Sequence, residues 1–182
     1  MNRSRVCLFR SLIIVAIGLM LLSWFMPWWT CDILGLPLFN AVTIHPWGLS
    51  NILGEWIDWI VDALPPWWLS VIAWIFLPSC IGFLLYSLGM RGKKGKLLLG
   101  GVGCAYIAYA VAAVIYAAIS TGDFGLSLQG YSFIHEDMGV PWETAVYAKL
   151  LPGYYLAHGV GVLCIVLALL RDRIIGKDKP IN

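Results

Sequence analysis

The sequence predicts an all-α integral membrane protein: a bundle of four transmembrane helices with an outer amphipathic interfacial helix and a short hairpin-like β pairing between outer loops. Three observations predict it. Of 182 residues, 60% are hydrophobic and 12% are charged, against about 25% charged in a typical soluble domain. Four stretches, 11–29, 67–90, 97–119 and 151–170, contain no Asp, Glu, Lys or Arg, and each matches the roughly 20 helical residues that cross about 30 Å of hydrocarbon. Charge also sorts by side. The tails and the hinge Arg91-Gly-Lys-Lys-Gly-Lys96 carry eleven basic residues against Asp172 and Asp178, a net of +9. The loops 30–66 and 120–150 carry eight acidic residues against Lys149, a net of −7.

Basic loops stay on the cytoplasmic side of a bilayer, so this asymmetry predicts a multi-pass protein of the plasma (cytoplasmic) membrane with both termini inside. The whole chain, 1–182, then forms one membrane domain. The overall charge of +2 hides this polarity and is no sign of nucleic-acid binding.

Taken in order, the basic start Met1 to Arg10 and the apolar run after it end in Trp24-Phe-Met-Pro-Trp-Trp29 with no small-residue cleavage pattern. A retained first span is expected rather than a removed signal peptide. Cys7, at the membrane edge, is a candidate for palmitoylation, although an unmodified thiol is the ordinary expectation.

In the first outer loop, Leu36 to His45 has the β-branched, alternating character of an extended segment. Beyond Trp47-Gly48-Leu49, Ser50 is placed to cap a helix in which Leu53, Trp56, Ile57, Ile60 and Leu64 share one face and Glu55, Asp58 and Asp62 the other. Such a helix lies in the plane of the interface and ends at Pro65-Pro66. Trp28, Trp29, Trp47, Trp56, Trp59, Trp67, Trp68 and Trp142 all fall at or beyond the outer edge. Indoles anchor at headgroup level and also dominate binding surfaces, which makes Trp47, Trp56, Trp59, Trp67, Trp68 and Trp142 candidates for an outer interface.

Pro78 stands in the middle of the second span, where it removes a backbone hydrogen bond. The third span repeats small residues at Gly100, Cys104, Ala108 and Ala112, and the fourth at Gly153, Ala157 and Gly161. Small residues let helix backbones approach closely in lipid, so these seams are expected to pack together or against another subunit. In the second outer loop, Leu126 to Ile134 reads as a weak strand, expected to pair with the one in the first loop. Asp137 to Pro141 reads as a turn, and Trp142 to Leu150 as a short helix opened by Pro141.

The residues with chemistry are few. Only Cys31 of the five cysteines lies in an outer loop, and no Cys-x-x-Cys occurs, so neither an intramolecular outer disulfide nor thioredoxin-like chemistry is expected. His45, His135 and His158 all belong to the outer half, with Glu136 and Asp137 beside His135. Imidazole with carboxylate suits copper, zinc or iron, which makes these five the candidate metal ligands, although their spacing matches no ligand motif. His158 is the one imidazole inside a span. An intramembrane polar group needs a partner, and Tyr154, one turn earlier, is the expected one. The two residues are candidates for binding a quinone, or a haem shared with another subunit. No cofactor is required by the sequence.

Walker and Rossmann glycine patterns are absent, as are acidic relays and basic series within the spans. No repeat suggests an inverted-repeat transporter. Four spans, inside termini and a larger first outer loop with strand-like character resemble, in topology, claudin-like and tetraspanin-like proteins, and Trp47-Gly48-Leu49 is similar to a fragment of the claudin loop motif. The paired cysteines of those loops are absent here, so the resemblance implies no membership.

These observations favour a non-catalytic integral subunit of a larger membrane complex. It would sit among membrane lipids, join other integral subunits as a homo- or hetero-oligomer, and have no nucleic-acid partner. A redox or metal-handling protein using the outer histidines is the second reading, and a small channel or transporter the third.

Overall fold

The computed structural model describes residues 3–33, 40–52, 67–90, 92–122, 127–134 and 144–175. Four helices are long and apolar enough to cross a membrane: α1 (Arg3–Phe25), α2 (Trp67–Gly89), α3 (Gly92–Gly122) and α4 (Pro152–Ile175). Five strands accompany them: β1 (Trp29–Ile33), β2 (Asn40–His45), β3 (Gly48–Ile52), β4 (Gly130–Ile134) and β5 (Thr144–Leu150).

In the bundle α4 packs against both α3 and α1, α3 holds α2, and α1 and α2 meet only slightly. The outward surfaces carry Ile14, Leu22, Ile75, Phe83, Ile115 and Val162. Facing inward are small and polar residues, Ala16, Ser23, Ala73, Ser87, Ala110 and Ala157, between larger ones such as Met20, Leu84 and Leu99. Helices with apolar residues on every side suit a lipid environment. The α3–α4 contact is the most intimate because glycine lies on both sides: a β-carbon on Gly161 would press into Ile107, and one on Gly100 would just meet Ala168 at 3.5 Å.

The strands form one antiparallel sheet in the order β3-β2-β1-β5-β4. The architecture is therefore not all-α. The expected minor pairing is a five-stranded sheet drawn from both interhelical loops, and the strand at 130–134 pairs with β5 rather than directly with the first loop.

Each correction has a local cause. Pro27 cannot continue a helix, so α1 stops at Phe25, and Trp28 then donates its N–H to Ile44 O (2.8 Å) and accepts from Leu151 N–H (2.8 Å). Trp28 and Trp29 thus leave the predicted span and are buried. Ser50 is not a helix cap. Gly48, at φ +138°, follows the two-residue turn Pro46-Trp47 and returns the chain as β3, with His45 opposite Gly48. The remainder of the expected interfacial helix and the 137–141 turn lie outside the described residues.

Residues 144–150 form a strand, not the expected helix. Val146 and Ala148 are buried while Ala145, Tyr147 and Lys149 on the alternate positions are half-buried, which is the two-residue period of a strand with neighbours on both sides. The chain then enters α4 through Leu151, with Pro152 at the first helical position, where its missing N–H costs nothing.

Candidate functional site

The end of the bundle that bears the sheet is aromatic throughout. Trp24 is fully buried, with Tyr109 at 5.5 Å between ring centroids, Phe76 at 6.3 Å, Tyr106 at 6.4 Å and Trp28 edge-on at 6.5 Å. Phe76 stacks on Tyr109 at 4.7 Å. Offset and edge-on pairs of this kind add about 0.5–1.5 kcal/mol each beyond their buried area. Ser23 Oγ donates to Met20 O (2.9 Å) and lies 2.8 Å from Tyr106 Oη, and Trp28 Nε1 donates to Ser23 O (2.8 Å), whereas the buried Trp24 Nε1 has no hydrogen-bond partner among the described residues.

Two contacts seat the sheet on this cluster. Tyr109 Oη donates to Pro46 O in the β2–β3 turn (2.6 Å). His45 stacks on Trp47 (4.9 Å between centroids, 20° between planes) and turns towards the backbone carbonyls of Met26 and Phe25 at the end of α1. Burial lowers the His45 pKa below the usual imidazole value, and the two carbonyls oppose that shift without cancelling it.

On the sheet, β1, β5 and β4 place Asp32, Tyr147 and Tyr131 in one cross-strand row. Tyr131 and Tyr147 lie 4.8 Å apart, and Lys149 bridges to Asp32 at 3.5 Å while standing 5.9 Å over the Tyr147 ring. Phe133 lies on the same face one step along β4, and Tyr131 and Phe133 are 68% and 56% exposed. Trp29, on the opposite face, reaches past β5 to donate to Leu128 O (2.8 Å) and fastens the approach to β4. Cys31 is buried on the Trp29 face. Burial first, and the neighbouring Asp32 carboxylate second, push its thiol up to about 11.

The expected site residues separate. His158 Nδ1 lies 3.1 Å from the backbone oxygen of Tyr154, and the two rings meet edge-on at 4.5 Å. Tyr154 is thus the partner of His158, through its carbonyl rather than its hydroxyl. His135, Glu136, Asp137, Trp56, Trp59 and Trp142 lie outside the described residues. Among the described residues no three His, Cys, Asp or Glu side chains gather into a metal-holding group. Trp47 is half-buried beside Trp74 (6.0 Å), and Trp68 is exposed. Trp67 opens α2.

Of the small-residue positions, Gly153, Ala157 and Gly161 are buried, Gly153 against Pro27 and Met26 of the chain leaving α1. Gly100 meets α4, but Cys104, Ala108 and Ala112 point away from it and are exposed. The α3 face that meets α4 carries Gly103 and Ile107 instead. A three-residue step from Gly100 to Gly103 carries this signal, and a search at four-residue steps misses it.

At the other end of the bundle Arg171 is 4% exposed. Its Nη1 donates to Gly92 O (2.7 Å) and its Nη2 to Met90 O, which joins the end of α4 to the α2–α3 hinge. Gly95 leaves room for it, since a β-carbon there would lie 2.8 Å from Nη2 and the guanidinium would have to shift. Lys96 pairs with Asp172 at 3.5 Å beside it.

The fold defines a class, a four-helix apolar bundle bearing an antiparallel sheet, and its helices are compatible with a multi-pass membrane protein. No family model and no curated protein matches the chain.

Proposed function

We propose that this protein is a non-catalytic integral subunit of a larger assembly in the plasma (cytoplasmic) membrane, with both termini and the hinge in the cytoplasm and the sheet outside. The exposed Tyr131 and Phe133 on the end strand of the sheet carry this reading. Large aromatic side chains grouped at a surface mark a site for a partner protein, and β4 is the terminal strand of the sheet among the described residues. The sheet itself is fixed to the bundle through Trp28, Tyr109 and His45, so the aromatic face is held rigidly for contact. Orientation follows from the basic hinge and tails.

A photo-crosslinking amino acid placed at Phe133 in native membranes tests the proposal, with Ile115 on the lipid-facing side of α3 as the comparison. A discrete protein adduct at Phe133 and none at Ile115 is expected. Lipid adducts alone at both positions reject a partner subunit at the sheet.

A further inference from the structure

We infer that the partner protein meets the sheet through a basic segment, with its arginine or lysine side chains seated over the aromatic face of β4 and β5. This rests on the reading above, in which that face is the contact for a partner subunit, and adds the chemistry of the contact.

The face already holds one cation in this way. Lys149 of β5 places its Nζ 3.5 Å from an Asp32 carboxylate oxygen and 5.9 Å from the centre of the Tyr147 ring. At that distance the negative face of an aromatic ring attracts an ammonium group. A carboxylate of β1 and a ring of β5, opposite each other in the sheet, thus share one cation. The neighbouring rings have none. Tyr131 lies 4.8 Å from Tyr147, and Phe133 follows it on the same face of β4. Both are exposed, and among the described residues no Lys or Arg stands over either. Each offers the same attraction to a cation carried by another chain. A guanidinium suits it best, being planar, weakly hydrated and able to stack on a ring while pairing with a carboxylate.

Charge selects a basic segment over an apolar one. The stretches 30–66 and 120–150 carry eight carboxylates and a single lysine or arginine, Lys149. Membrane orientation asks only that basic residues be scarce on the outer side, and acidic residues contribute little to it. The excess of Asp and Glu therefore has another reason. Asp32, the one of the eight among the described residues, is paired with Lys149. The other seven have no second lysine or arginine in either stretch to meet them. Asp123, Glu136, Asp137 and Glu143 belong to the stretch that supplies β4 and β5. Glu136 follows Ile134 by two residues, and Glu143 directly precedes Thr144. A field of this sign draws cationic segments towards the sheet and turns acidic ones away, while the bare rings supply the short-range contact. An apolar partner would cover Tyr131 and Phe133 but leave the charge unbalanced.

Photo-crosslinking from p-benzoylphenylalanine at Phe133 in native membranes tests this, with the yield of the protein adduct followed as charge is varied. The yield is expected to fall severalfold as salt rises from about 0.05 M to about 0.5 M and screens the field. Tyr131→Phe keeps the ring and should keep the yield, whereas Tyr131→Leu is apolar without a π face and should lower it about two- to fivefold. The set D123N/E136Q/D137N/E143Q should lower the yield and flatten its salt dependence. Sequencing of the captured peptide should find Arg or Lys close to the crosslink. Should the charge variant fail to insert, the salt series and the two Tyr131 variants decide without it. An adduct indifferent to salt, equal yields from Tyr131→Leu and Tyr131→Phe, or a captured peptide without a basic residue overturns the basic segment while leaving a partner subunit at the sheet. No protein adduct under any condition rejects the partner subunit, and the basic segment with it.

Discussion

Gly103 and Gly161 face each other across α3 and α4 so closely that a β-carbon on Gly103 would lie 2.6 Å from the Gly161 carbonyl oxygen. That atom is backbone and cannot rotate away. Gly103→Ala should therefore separate the helices locally and lower stability by about 1–3 kcal/mol, read as a lower midpoint of denaturation in detergent. Gly101→Ala meets open space and removes a flexible residue from a helix, so it should be neutral or stabilising by up to about 1 kcal/mol. Equal losses for the two variants would show that the contact does not hold the helices.

Arg171 should matter more than a surface arginine. Arg171→Met keeps much of the apolar stem but removes both donors to the hinge carbonyls. Hydrogen bonds from charged groups contribute about 1.5–3 kcal/mol each, so a loss of roughly 2 kcal/mol or more is expected, together with faster amide exchange in the first turn of α3. Gly95→Ala should reproduce the effect by displacing the guanidinium. Unaltered exchange in both variants would remove Arg171 from its role as the hinge tie.

Tyr109→Phe deletes the hydroxyl that reaches Pro46 O while leaving the ring against Trp24 and Phe76. We expect a cost of about 1 kcal/mol and faster exchange in the β2–β3 hairpin. The bundle should be nearly unaffected, since the lost bond joins the sheet to the bundle and not helix to helix.

The seat of His45 should weaken in acid. Its folded pKa lies below the unfolded value of 6.5, so the unfolded chain takes up the proton first. Stability from this residue is complete above the unfolded pKa and is lost as pH falls through the folded one. An imidazolium stacked on Trp47 should also quench indole emission. Tryptophan fluorescence titrated from pH 8 to 4 should show a transition below pH 6.5 that is absent in His45→Gln. A transition unchanged by that substitution would assign it to another group.

Cys31 should be slow to label. Its thiol, pushed up from 9.0 to about 11, holds on the order of 100-fold less thiolate at neutral pH than an ordinary cysteine, and the thiolate is the reactive form. Orientation is better read from exposed positions. In a background without the native cysteines, Tyr131→Cys should react with an impermeant maleimide on intact cells and Lys94→Cys only after permeabilisation. The reverse pattern would invert the proposed topology.

Local features of the sequence determined the four apolar helices and the sorting of charge to their two ends, because a run of some 20 residues without a charge meets the requirement of a bilayer by itself. Pro152 at the start of α4 and the buried Gly153, Ala157 and Gly161 were legible for the same reason. The sheet was not. Whether Thr144–Leu150 becomes helix or strand depends on β1 and β4 lying on either side of it, and β1 lies more than a hundred residues earlier in the chain. Trp28 and Trp29 looked like headgroup anchors until Ile44 and Leu151 took up the Trp28 backbone and buried both indoles. The face of α3 that meets α4 was likewise decided in three dimensions: small residues occur around much of that helix, and only the position of Gly161 selects Gly103 over Cys104. Local composition fixes which segments prefer lipid, and the pairing of distant segments decides everything that stands on them.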